Sequence, residues 1–156
     1  MKRMISVVLF LLLSDGIMVG SGSGQPQGTL DLAKYRWKNR LLLLFAPHEE
    51  DKTYLNFIEK LQGQEDQITD RDLIIVAIFE SGESRLGDSS IDQHSAASLR
   101  NRFSIQPGQF IVVLVGKDGG EKLRRNSEVE LNEIFSLIDS MPMRQREMRE
   151  RVQKRP

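Results

Sequence analysis

Cysteine is missing from all 156 residues of this chain. That removes disulfides, thiolate-ligated metal sites and every reaction that runs through a sulfur nucleophile. Histidine is scarce. His48 and His94 are the only two, and neither stands in a motif that would build a Ser/His/Asp triad. No charge of one sign prevails, because 22 basic residues balance 22 acidic ones. A whole-domain attraction to nucleic acid or to an anionic membrane is therefore not expected. The glycines make no phosphate loop, since G-x-x-x-x-G-K-[ST] is absent. Gly119-Gly120 follows Lys117-Asp118 and has the chemistry of a tight hairpin turn. Without disulfides, stability must come from a packed core, which a domain of this length is able to build.

What is present starts with a positive pair, Lys2 and Arg3. An apolar run from Met4 to Leu13 follows, and then the small-residue stretch Gly20-Ser-Gly-Ser-Gly24. This is the layout of a secretory signal peptide, and the run falls short of the ~20 residues a bilayer span needs. Asp15 is an unusual residue in such a segment. Residues 1–24 are thus expected to be a signal peptide cut between Gly20 and Gly24. The product is expected to be exported, periplasmic or secreted, with no stable membrane span after cleavage. Residues 25–28 read as a linker, 29–141 as one domain and 142–156 as a charged, solvated tail.

Leu30 to Arg40 reads as a short helix or turn that sets Leu32, Tyr35 and Trp37 against the core. Leu41 to Ala46 is a strand-length apolar run, as expected where both faces are covered. A helix is predicted from Glu49 to about Gln62, with Tyr54, Ile58 and Leu61 on one face. Leu73 to Phe79 is a second buried strand, Glu80 to Ser90 a Gly/Ser-rich loop, and Ile91 to Phe103 a weaker helix. Phe110 to Val115 is the third strand, and Glu121 to Arg124 returns from it as a short edge strand. Ser127-x-x-Glu130 has the form of a capping box opening a last helix, which Pro142 ends or kinks. The predicted order is β-α-β-α-β-β-α, an α/β domain. Two parallel-type crossovers precede a hairpin, giving a mixed four-stranded sheet with helices on both faces.

That order matches the thioredoxin-like fold. Three stretches bring the resemblance closer: RWKNRLLLLFAP (36–47), FIVVLVGKDGGEKLR (110–124) and LIDSMPMRQREM (137–148). Together they resemble the DUDES-type domain, domain of unknown function 4174, over roughly residues 29–149. The resemblance implies a thioredoxin-like, peroxiredoxin-related fold without redox cysteines and with no established activity. It also implies a setting among short exported bacterial proteins and modules of secreted animal matrix proteins.

Under that resemblance Glu49 and Lys52 occupy the places of the two reactive cysteines of thioredoxins. A helix N-terminus carries about half a positive charge. Glu49, Glu50 and Asp51 put permanent carboxylates into that field. They serve as helix caps, or else they join His48 in a divalent-cation site; His48, Glu49 and Asp51 are the candidate ligands. A second candidate segment, Gln106-Pro107-Gly108-Gln109, precedes the third strand. Thioredoxins carry a cis-proline in the corresponding place, but here the family position falls near Gln109, and a trans turn at Pro107 is expected. Backbone exposed there would suit strand addition by a peptide.

The expected role is a binding or structural module without thiol redox chemistry and without a cofactor. Its surface would join Pro47, His48, Glu49, Glu50, Asp51 and Lys52 to Gln106, Pro107, Gly108 and Gln109. The expected partner is a protein or peptide of the envelope or extracellular space, and no nucleic acid. The alternative is a cysteine-independent enzyme or metal-binding protein using the His48–Asp51 turn. Trp37 with Tyr35 could form a stacking platform for a ligand, but core packing beneath the first strand is the expectation.

Overall fold

The computed structural model describes residues 30–127 and 129–154. The expected signal peptide and linker, residues 1–24 and 25–28, lie outside them. The first strand, β1 (Arg40–Ala46), is buried along its whole length. Its alternation shows why the run is apolar without interruption. Leu41, Leu43 and Phe45 enter one core layer with Ala96, Leu99 and Phe103. Leu42 and Leu44 enter the opposite layer with Phe57, Leu61, Ile134 and Ile138. Successive strand side chains face opposite ways, so a strand covered on both sides needs apolar residues at every position. Each such side chain contributes about 1.5–3 kcal/mol on full burial.

β2 (Leu73–Phe79) lies parallel to β1 in a continuous register from Arg40↔Leu73 to Ala46↔Phe79. Between them run α1 (Lys52–Leu61) and the short α2 (Glu65–Asp70). The sheet has six strands rather than the expected four. The stretch expected as a loop folds into a hairpin, β3 (Ser84–Leu86) and β4 (Ser89–Ile91), which extends the sheet beyond β2. Its strands are too short and polar to show a period of two. Tertiary contacts hold them: Ser84 is fully buried and its Oγ accepts from Phe79 N at 2.9 Å, and Ile91 reaches the core.

α3 (Gln93–Arg102) therefore starts after Ile91, with Asp92 capping it through Ser95 N at 2.9 Å. β5 (Ile111–Val115) then runs antiparallel to β1, so only the first crossover is of the parallel type. The reason is local. The loop before β5 returns to the carboxyl end of the sheet, where Glu80 holds it, and the chain must run back from there. β6 (Glu121–Arg125) closes the other edge, giving the order β4-β3-β2-β1-β5-β6.

Three further expectations change. α1 begins at Lys52, not Glu49, because Asp51 takes the cap: its Oδ1 accepts from Tyr54 N at 2.9 Å. α4 (Leu131–Ser140) begins after the proposed capping box. Glu130 stands at its N-cap without a side-chain cap bond and pairs instead with Lys60 at 3.1 Å. Val129, just before it, is buried against the second core layer. Residues 142–153, expected in a solvated tail, form α5 (Pro142–Gln153) with Pro142 in its first turn, where proline lacks nothing a helix needs. Among the described residues no helix is long and apolar enough to cross a membrane.

Candidate functional site

At the carboxyl end of β1 the chain leaves the sheet through Pro47, which is half-buried, and then through His48, Glu49 and Glu50, which are exposed. Asp51 N donates to His48 O at 3.2 Å, closing a turn. His48 Nδ1 stands 3.3 Å from Glu50 Oε2, and Asp51 is turned inward onto the backbone of α1. Lys52 is the first helical residue and is exposed. Among the described residues no group of three or more His, Cys, Asp or Glu side chains is arranged to hold a metal ion. Behind the turn, Tyr54 stacks edge-on to Phe79 at 4.9 Å. Burial, and then the charge of Glu49, push the Tyr54 hydroxyl above its ordinary value, with Arg85 acting against them.

The second candidate segment lies beside the first. Gln109 N donates to Gln106 O at 3.3 Å, and the Gln109 side chain accepts from Gln106 N at 2.9 Å. No peptide bond among the described residues is cis, so the bond into Pro107 is trans. Gly108 has φ 75°, a left-handed conformation that glycine adopts freely.

Glu80 and Ser81 join the two segments. Glu80 N donates to Ala46 O at 3.1 Å, and Ser81 N donates to Pro47 O at 3.0 Å. The Glu80 carboxylate accepts from Gly108 N at 2.9 Å and pairs with Arg100 at 3.3 Å. Arg100 also donates to Ala46 O at 3.3 Å and to Gln106 O at 3.1 Å. Burial pulls the Arg100 guanidinium below its ordinary value, and Glu80 partly restores it. A cavity of about 510 Å³ opens here, lined by Phe79, Glu80, Gln93, Arg100, Gln106 and Pro107 among others. Sequence reading missed Glu80 and Arg100. The signal for Arg100 was present: it stands four residues after Ala96 and three before Phe103, on the stripe that faces the core.

The amino end of β1 is built differently. Arg40 is 1% exposed, and its guanidinium reaches Glu147 of α5 through two hydrogen bonds, at 3.2 and 3.3 Å. Lys117 pairs with the same Glu147 at 2.7 Å and with Asp72 at 2.8 Å. Arg144, also buried, bonds Asp139 at 3.1 Å and the Asp70 carboxylate, which in turn holds Arg151. Arg71 pairs with Asp139 at 2.5 Å and lies over the Phe135 ring. Burial by itself would raise the Glu147 carboxyl, but its bonds to Lys117 and Arg40 outweigh that and hold it below its ordinary value. The same opposition, won by Arg144, lowers Asp70. Arg40, Lys117 and the residues Asp139, Arg144 and Glu147 come from the three stretches that carried the resemblance in sequence. The fold brings all three to this end.

The family model for domain of unknown function 4174 matches residues 31–147. The chain belongs to this family. As a DUF4174 domain it is 28% identical, over 133 residues, to coiled-coil domain-containing protein 80 of Danio rerio. That likeness takes in 75% of this chain and 15% of the relative, so the chain spans only a small part of the relative's length. Among solved structures it is similar to the reduced 2-Cys peroxiredoxin of Plasmodium vivax, with a TM-score of 0.58 at 13% identity, covering 75% of this chain and 85% of that one. Thioredoxin peroxidase I of Plasmodium yoelii gives 0.56 at 15% identity, covering 74% and 79%. At such identities the likeness is one of fold. The DUF4174 domain thus keeps a thioredoxin-type scaffold, and with no cysteine anywhere in the chain it has no thiolate to put in the turn after β1.

One residue of the first family stretch corrects an expectation. Leu32 and Tyr35 do pack on the core, but Trp37 is 60% exposed. Its backbone has φ 65°, and its N–H donates to Lys117 O at 2.6 Å. That bond fixes a turn which directs the indole outward. A non-glycine residue held in this region costs ~1–3 kcal/mol.

Proposed function

We propose that this DUF4174 domain is an exported binding module that engages a protein or peptide through the surface joining Pro47–Lys52 to Gln106–Gln109. The observation that carries the reading is the Glu80–Ser81 link, which holds the two segments side by side at the carboxyl end of the sheet. Ligands of open α/β sheets commonly bind at that end, outside the strand termini. The adjoining cavity, with Arg100 and Glu80 in its wall and amides from Gln93 and Gln106, supplies polar groups that orient an extended chain. Thiol exchange has no part in the mechanism, because the chemistry requires a thiolate.

Two measurements test it. Intact mass of the protein recovered from the producing cell's exported fraction is expected to show loss of a leader ending between Gly20 and Gly24. Full-length mass confined to the cytosol would remove the export half of the reading. For binding, short random peptides displayed in a library are panned on the purified chain. Enriched peptides are expected to lose about tenfold or more in affinity when Gln106→Arg and Gly108→Arg are introduced together. Peptides that bind both forms equally would place recognition elsewhere.

A further inference from the structure

We propose that the amino end of the molecule carries a second docking surface, centred on Trp37, for an acidic peptide with an apolar anchor residue. Trp37 is the only tryptophan of the chain, and most of its surface faces solvent. Tryptophan is usually well covered in folded proteins, and here a strained backbone holds it outward. Arg36 lies over its ring, 5.2 Å from the centroid. The same Arg36 lines a cavity of about 390 Å³ whose walls include Leu32, Tyr35, Val115 and Arg102. An aromatic platform, an arginine and an apolar recess side by side are what energetically dominant interface residues look like.

Charge selects the partner. Among the described residues, none of Lys34, Arg36, Lys38 and Arg102 lies within salt-bridge distance of a carboxylate. The two acids on the cavity wall are already engaged. Asp31 accepts from Ala33 N at 2.9 Å, and Asp118 is taken up by Lys122 at 2.6 Å and by Gly120 N at 3.0 Å. Carboxylates of the partner complement the free cations, and an apolar side chain suits the recess between Leu32, Tyr35 and Val115. That recess favours a peptide over a polyanionic glycan, which has no apolar side chain to bury. Nothing at this surface uses the Pro47–Lys52 or Gln106–Gln109 segments, which lie beyond the other end of β1.

The single tryptophan is its own reporter. Short random peptides are panned on the full chain, and enriched sequences are titrated while indole emission is followed. Enriched peptides are expected to combine Leu, Ile, Met or Phe with Asp or Glu, to shift the emission to the blue, and to bind more weakly as salt rises. Arg36→Glu is expected to weaken them about tenfold or more. Trp37→Gly is expected to weaken binding as strongly, measured by peptide anisotropy, while leaving the melting temperature unchanged or raised, since glycine tolerates this backbone. A Trp37→Gly protein that melts well below wild type would make the indole structural and overturn the proposal. So would acidic peptides that bind without moving the emission, or enrichment of neutral or basic sequences alone. An emission shift produced only by a sulfated polysaccharide would reassign the surface to a glycan, and one that tracks protein concentration without peptide would reassign it to a second copy of the chain.

Discussion

At the carboxyl end of β1, exposed acids surround a turn that a few hydrogen bonds to Glu80 and Ser81 hold in place. At the amino end, Arg40, Lys117, Arg144 and Arg71 interlock with Glu147, Asp72, Asp70 and Asp139 beneath α5. The carboxyl end is where a thioredoxin-type scaffold keeps its reactive sulfur, and in this chain it carries no reactive group of that kind. Arg40, Lys117, Asp139, Arg144 and Glu147, one or more from each of the three stretches of resemblance, meet at the other end. One end is thus an exposed turn, while at the other end basic side chains taken out of water are held by partly exposed carboxylates. Such groups contribute little when exposed, but removing one partner of a buried pair is strongly destabilising.

The two ends are expected to differ most at Glu147. Glu147→Ala removes the carboxylate partner of Arg40, which is 1% exposed and is left the Arg71 carbonyl, and is expected to cost about 3–5 kcal/mol in urea unfolding. The matching change at the other end, Glu80→Ala, removes a carboxylate that is 41% exposed and leaves the buried Arg100 its bonds to the Ala46 and Gln106 carbonyls, and is expected to cost only about 1 kcal/mol. Equal losses would erase the distinction between the two ends.

Acid sharpens it further. Glu147 and Asp70 are held below their ordinary values of 4.5 and 3.8 in the folded protein. Depressed carboxyls lend stability that is present above those values and is lost as pH falls through the lower, folded-state ones. The melting temperature is therefore expected to hold near neutral pH and to fall below about pH 4.5. Glu147→Gln should flatten that fall; an unchanged acid profile in this variant would detach Glu147 from it. The smallest effect belongs to the cap. Asp51→Ala is expected to cost about 1 kcal/mol and to loosen the first turn of α1, seen as faster amide exchange at Tyr54.

Some of the fold was legible because the signal is local and repetitive. The runs 41–46, 73–79 and 110–115 declare buried strands, since a covered strand must be apolar at each position. The hairpin of β3 and β4 was not legible, because three-residue polar strands show no period and exist only through pairing with Val76 and Ala77. At the candidate site, the acids of the turn after β1 were readable as helix-capping groups, and Asp51 fills that role. Glu80, which ties that turn to Gly108, was not, because nothing in a linear sequence marks a carboxylate whose partners lie 28 residues away.

By itself the sequence determined that no thiol chemistry takes place here and that a two-sided apolar sheet forms. Both follow from residue type and short-range pattern alone. That α5 docks rather than trails in solvent, that Trp37 faces out, and that Arg40 meets Glu147 across 107 positions came from the folded chain. Electrostatic pairing depends on distance in space, and chain order carries no record of it until the sheet has brought its ends together.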